Sequence, residues 1–181
     1  MLSKTAVVLG GAECVWDDHK KLIEFHTPEL TVCINDIGVV WPHKFDIWVS
    51  HHADKLTEWA YKRSKTNLPP ATELWTGPVK ARNSLMEIQQ HRQRGGSSGL
   101  LATCVALDKA QKVVLCGVPM LPTMRHWHND KGGVPWTECT HYLKHWEELM
   151  PNLLSKRVRS MSGWTRDRLG LPTKEWLDDP A

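Results

Sequence analysis

Three short strings in this chain combine residue types that can do chemistry. The first, H-W-H-N-D, contains His126, His128 and Asp130. Imidazole titrates near neutrality, so a histidine there can act as general base or acid. The same alternation has the spacing of zinc ligands, with His51 and His52 as the residues that would complete the set. We assign acid–base chemistry to His126, His128 and His51, and no metal. The second string, R-G-G-S-S-G, runs from Arg94 to Gly99 and opens straight into an apolar stretch. A helix start leaves amides unpaired and carries a partial positive charge, which suits phosphate. The alternative is a serine N-cap with glycines that ease the turn. Arg92 and Arg94 would add positive charge. The third string, I-N-D-I-G, places Asn35 beside Asp36, an amide and a carboxylate suited to a base edge or to ribose hydroxyls, or equally to an Asx turn.

Chemistry of this kind needs a frame that brings distant strings together. Apolar residues make up 41% of the 181-residue chain, enough for one packed domain. K-T-A-V-V-L-G-G, L-T-V-C-I-N-D, F-D-I-W-V-S-H-H and Q-K-V-V-L-C-G-V-P are short apolar runs that end in glycine or polar residues. A further short strand is expected near Glu73–Thr76 and a last one within S-K-R-V-R-S-M-S-G-W. Between them lie helical stretches: one opening at Asp17 as N-cap, one over D-K-L-T-E-W-A-Y-K-R-S, and one over S-G-L-L-A-T-C-V-A-L-D-K-A. The last is apolar nearly all round, so it should be buried on more than one side. In P-W-T-E-C-T-H-Y-L-K-H-W-E-E-L-M-P, Tyr142, Trp146, Leu149 and Met150 share one stripe. His141 and His145 fall on its flank, expected to be solvated.

Near-continuous apolar strands alternating with helices predict an α/β fold with a doubly wound, mostly parallel sheet. We place a nucleotide-binding domain over 1–155 and a short C-terminal appendage over 156–181. In such a sheet, ligands bind outside the carboxyl ends of the strands, where the strand order reverses. Gly10, Gly11, Glu13, Asn35, Asp36, Ser50, His51 and Gly117 all fall at those ends, and Ser97, Ser98 and Gly99 share that edge. The L-G-G-A-E turn lacks the full G-x-G-x-x-G pattern of a classical NAD site.

The net charge of +3 is too small to announce a nucleic-acid binder. Lys80, Arg82, Arg92 and Arg94 do cluster around a single acid, Glu87, so a nucleic-acid contact through 80–94 is one candidate partner. Self-association is another that the composition allows. Five cysteines without a C-x-x-C pair argue against a disulfide framework and for a reducing, cytoplasmic setting. No apolar run reaches membrane-spanning length, and the run before Gly10 is too short for a signal peptide. Ten tryptophans against two tyrosines and two phenylalanines is an unusual balance. Most should pack, and one or two are candidates for stacking on a base or sugar ring.

The stretch S-S-G-L-L-A-T-C-V-A-L-D-K-A-Q-K-V-V-L-C-G-V-P-M resembles small Rossmann-like bacterial sialyltransferases. Those enzymes have an S/T-S-G turn, a buried alanine-rich helix and a strand ending near Gly-Val. The layout is similar to that of motility accessory factors of flagellin glycosylation and of hydroxymethylpterin pyrophosphokinases. The C-terminal segment also has some likeness to uncharacterised phage proteins. The resemblance implies a nucleotide-binding transferase, glycosyltransferase-like, with a nucleotide-sugar donor. Ser97, Ser98 and Gly99 would then contact phosphate or ribose. Gly10, Gly11, Asn35 and Asp36 would line the rest of the donor pocket, and His126 or His128 would be the base. This chain departs from the pattern at Pro119, where an acid is usual, and in offering Tyr142 in place of a tyrosine pair. Two other functions fit the same fold. One is a pyrophosphokinase or nucleotide hydrolase using Mg²⁺ through Asp36 or Glu13; the other is a nucleotide-binding accessory protein without turnover.

Overall fold

The computed structural model describes residues 2–78, 87–93, 95–127 and 135–179. Seven strands form one sheet: β1 Ser3–Leu9, β2 Leu30–Ile34, β3 Ile47–Val49, β4 Glu73–Thr76, β5 Gln89–Gln90, β6 Ala110–Cys116 and β7 Val158–Ser160. Every pairing is parallel, and the strand order is β5-β4-β3-β2-β1-β6-β7. The chain therefore walks outward from β1 to β5, then returns to place β6 against the other side of β1. The order reverses between β1 and β6.

Helices α1 Val15–Ile23, α2 Ile37–Val40 and α3 Ala53–Ser64 follow the first three strands, and α4 Ser98–Lys109 makes the return crossover. Beyond β6 come a 3-10 turn over Thr137–Tyr142, α5 Leu143–Leu149, a wide turn over Met150–Leu154 and α6 Ser155–Arg157. After β7, α7 Gly163–Leu169 and α8 Lys174–Asp178 close the described chain. The 156–181 segment thus supplies the edge strand β7, which pairs with β6 from Val113↔Val158 to Leu115↔Ser160.

Both faces of the sheet are covered, which is why its strands are almost continuously apolar. Ala6, Val8, Val32, Ile34, Val113 and Leu115 face α4 and Trp146 of α5. Val7, Leu9, Cys33, Val114 and Cys116 face the other way, toward Val15, Leu22, Ile37 and Leu56. The alternation follows from the two-residue period of a strand. Helix α4 buries every residue from Gly99 to Leu107, as its all-round apolar composition predicts. Among the described residues no helix is long and apolar enough to cross a membrane. All five cysteines are free thiols.

Buried and half-buried cations hold several loop and helix ends. The Arg63 guanidinium donates to the carbonyls of Pro69 at 2.6 Å, Gly38 at 2.8 Å, Trp41 at 2.8 Å and His43 at 3.0 Å. Gly38 and Trp41 close α2, so the cation also meets the negative end of that helix. Arg157 does the same beyond α4, donating to the Leu107, Ala110 and Gln111 carbonyls. The Lys112 ammonium reaches the carbonyls of Trp176 and Asp179 at the end of α8.

Two local expectations are corrected. Asp17 is not the cap of α1: the helix begins at Val15, Cys14 sits at the cap position, and Asp17 is exposed. The Val15 amide already bonds the Ala12 carbonyl at 2.9 Å, so the turn after Gly11 starts the helix before the acid pair. Asp18 is the acid with a structural role. It is buried, and accepts from the Gly117 amide at 2.9 Å and the Ser162 hydroxyl at 2.6 Å. The second correction concerns His145. His141 is exposed, but His145 is half-buried against the Gly95–Gly96 turn, with Nδ1 enclosed and without a hydrogen-bond partner.

Candidate functional site

The reversal between β1 and β6 opens a cleft of about 460 Å³ at the carboxyl ends of the strands. Ligand sites of small molecules fall at roughly 300–1,000 Å³. Its floor is the turn after β1. The Gly10 amide donates to the Cys116 carbonyl at 2.8 Å, and a Cβ on Gly10 would lie 2.1 Å from the Gly117 carbonyl oxygen. Only glycine lets β1 and β6 stay paired to their ends there. Gly117 itself has φ +69° and is pinned by Asp18.

A strap from the loop after β6 crosses this turn. The Trp127 amide donates to the Gly11 carbonyl at 2.9 Å, the Glu13 amide donates to the Arg125 carbonyl at 2.9 Å, and Ala12 pairs with His126 in an antiparallel bridge. Gly11 makes room for the histidine: a Cβ would fall 2.9 Å from His126 Nε2. His126 Nε2 lies 3.2 Å from Asp36 Oδ1, so a residue at the end of β2 orients one on the strap. Burial pushes the Asp36 carboxyl up. The His126 hydrogen bond and charge, with help from its own backbone and Trp127, outweigh this and hold it below its ordinary value.

Asn35 is held by two side chains. Its φ is +51°, a conformation asparagine tolerates better than most residues. Trp48 Nε1 donates to its carbonyl at 2.6 Å, and the Ser50 hydroxyl donates to Oδ1 at 2.8 Å. Ser50 Oγ in turn accepts from the His52 amide at 3.0 Å, so its own hydrogen must point to Asn35. That relay uses Oδ1 and leaves the NH₂ as the group Asn35 can offer a ligand.

The start of α4 forms the next wall. Gly95 and Gly96 have φ of +75° and +80°, which only glycine adopts easily. Ser97 is the N-cap, accepting from the Leu100 amide at 3.3 Å, so the capping alternative holds for it. The same oxygen accepts from Trp146 Nε1 at 3.4 Å, and Ser98 Oγ accepts from the His51 amide at 3.2 Å. Both hydroxyls are engaged as acceptors, which leaves their hydrogens to donate. The Ser98 and Gly99 amides precede the first intrahelical bond, and both residues line the cleft.

The cleft therefore gathers Gly10, Gly11, Asn35, His51, Ser97, Ser98, Gly99, Gly117 and His126 from the sequence-predicted set, with Asp36 behind His126. It does not gather all of them. Arg92 is exposed and off the cleft, and Glu13 is exposed, with its carboxylate 3.4 Å from the Arg125 amide. His51 lines the wall, and its Nε2 is enclosed without a hydrogen-bond partner. Burial, and secondarily His52, lower its pKa, which keeps the ring neutral. His128, Arg94, Lys80, Arg82 and Asp130 lie outside the described residues.

Sequence inspection missed Arg125, the lysine or arginine that lines the cleft among the described residues, and Glu138. Arg125 directly precedes His126, and that adjacency is its signal in the sequence. Among the described residues no three His, Cys, Asp or Glu side chains are grouped to hold a metal ion. Comparison with protein-family models, with curated proteins and with solved structures returns no match for this chain.

Proposed function

We propose that this protein is a nucleotide-dependent transferase, of the glycosyl-transfer type, acting at the β1/β6 cleft. The observation that carries this is the convergence of the His126–Asp36 pair with the open start of α4 and the Arg125 side chain in one cleft. The α4 amides, the Ser97 and Ser98 hydroxyls and Arg125 suit a phosphate group. Asn35 and the glycine turn suit the remainder of a nucleotide donor. His126 takes the proton of an acceptor hydroxyl as that oxygen bonds the anomeric carbon. The bond from that carbon to the donor phosphate breaks, and the electron pair leaves on the phosphate oxygen, where Arg125 and the helix start stabilise it.

Thermal-shift measurement against CMP, UDP, GDP and ADP and their sugar conjugates tests this reading. A nucleotide at 100 times its Kd should stabilise the protein by about 2.7 kcal/mol. His126→Ala should keep that shift and lose transfer. Absence of stabilisation by every nucleotide would refute the proposal.

A further inference from the structure

Trp136, Tyr142 and Glu138 line one end of the cleft, and neither phosphate binding nor proton transfer accounts for them. Trp136 leaves 43% of its surface exposed, a costly placement for the largest apolar side chain. Its ring lies 5.8 Å from that of Tyr142 with the planes tilted by 32°. Tyr142 packs against the core on the α4 face, so the ring beside Trp136 is anchored. The Trp136 amide bonds the Met124 carbonyl at 3.2 Å, and Pro135 pairs with Arg125. The aromatic pair is thus tied to the strap that carries His126.

We propose that Trp136, Tyr142 and Glu138 form a binding subsite for a neutral saccharide ring. The apolar C–H face of a pyranose covers one aromatic face and needs no second ring above it, which matches a single exposed indole backed by a tilted phenol. A carboxylate accepts hydrogen bonds and cannot donate them, so Glu138 matches sugar hydroxyls and repels a phosphate. That the saccharide is the acceptor rests on the transferase reading above; that it binds here does not.

The test is saturation-transfer NMR on the full chain with methyl β-glucopyranoside, methyl β-galactopyranoside and methyl β-N-acetylglucosaminide. Wild type, Trp136→Ala, Trp136→Phe and Glu138→Gln are compared, with the nucleotide thermal-shift screen run on each. Transfer to the ring C–H protons of at least one glycoside is expected. It should be roughly tenfold weaker in Trp136→Ala, largely kept in Trp136→Phe and weakened in Glu138→Gln, with nucleotide shifts unchanged. If no glycoside receives saturation, or if Trp136→Ala matches wild type, the proposal is overturned. Loss of the nucleotide shift in Trp136→Ala would also overturn it, by making the pair a base platform. Glycoside binding that depends on Trp136, with no nucleotide binding in any variant, would sink the transferase reading and sustain the subsite. If Trp136→Ala fails to fold, Trp136→Phe and Glu138→Gln decide: Glu138→Gln must weaken glycoside binding at an unchanged melting temperature.

Discussion

Arg63 and Arg125 carry the same guanidinium into opposite settings. Arg63 is 1% exposed, lies over the Phe45 ring and donates to four carbonyls. Arg125 stands at the mouth of the cleft, and among the described residues its side chain has no hydrogen-bond or ion-pair partner. At Arg63 the fold sets the cation on carbonyls. Where the cleft opens, positive charge is kept unspent. A buried cation can hold a structure together only if its donors are used, whereas a binding cation must leave them for the ligand.

The contrast can be broken most sharply at Arg63. Arg63→Ala leaves several buried carbonyls without donors and should destabilise the protein by roughly 3–5 kcal/mol, read as a lower denaturant midpoint at unchanged m. A loss below about 1 kcal/mol would mean that water replaces the guanidinium and the setting is not structural.

Asp36→Asn comes next. It keeps the shape and removes the charge that orients His126, so transfer with the donor found by screening should fall by about 10²-fold or more while nucleotide binding persists. A companion measurement is the titration of Asp36 by carboxyl NMR. In wild type it should lie below the ordinary carboxylate value, and in His126→Ala it should rise, because burial then meets less opposition. An unmoved titration would dissolve the pair.

Arg125→Ala sharpens the comparison from the other side. Being exposed, it should change stability by less than about 0.5 kcal/mol, yet weaken nucleotide binding by roughly tenfold. If the two arginine variants shift stability equally, the division between structural and binding cations fails.

The smallest effect is a general one on pH. Burial lowers the pKa of His19, His26 and His51, with His43 and His52 adding to the effect at His19 and His51. The unfolded chain then binds more protons than the folded one just below the ordinary histidine value of about 6.5. Stability present above that value should decline as pH falls through the lowered folded pKa values. Melting curves between about pH 7.5 and pH 5 should show a modest fall, and a flat or rising Tm would contradict the burial of these rings.

Much of the frame was legible because it depends on local pattern. Apolar runs ending in Gly10–Gly11, Asn35–Asp36 and Gly117 mark strand ends, and α4 declares its burial by having no polar face. The partners of those ends were not legible. Asp17 and Asp18 look alike in sequence, and only the approach of Gly117 and Ser162 separates the exposed acid from the buried one. His51 and His126 are both imidazoles near a strand end in sequence, and only the fold shows that Asp36 reaches His126 while His51 Nε2 is enclosed. Arg92 sits a few residues before the α4 turn yet lies off the cleft, while Arg125, far along the chain, lines it.

The sequence by itself determined a parallel sheet covered on both faces, the edge on which its glycines and polar ends collect, and the helix start that faces that edge. These are consequences of side-chain periodicity and of which backbones glycine permits. Only the tertiary structure decided which histidine meets a carboxylate, which arginine stays free of carbonyls and which tryptophan is left in the open. Those outcomes depend on β6 returning to the side of β1, which brings residues separated by roughly a hundred positions into contact, and no local pattern encodes the pairing.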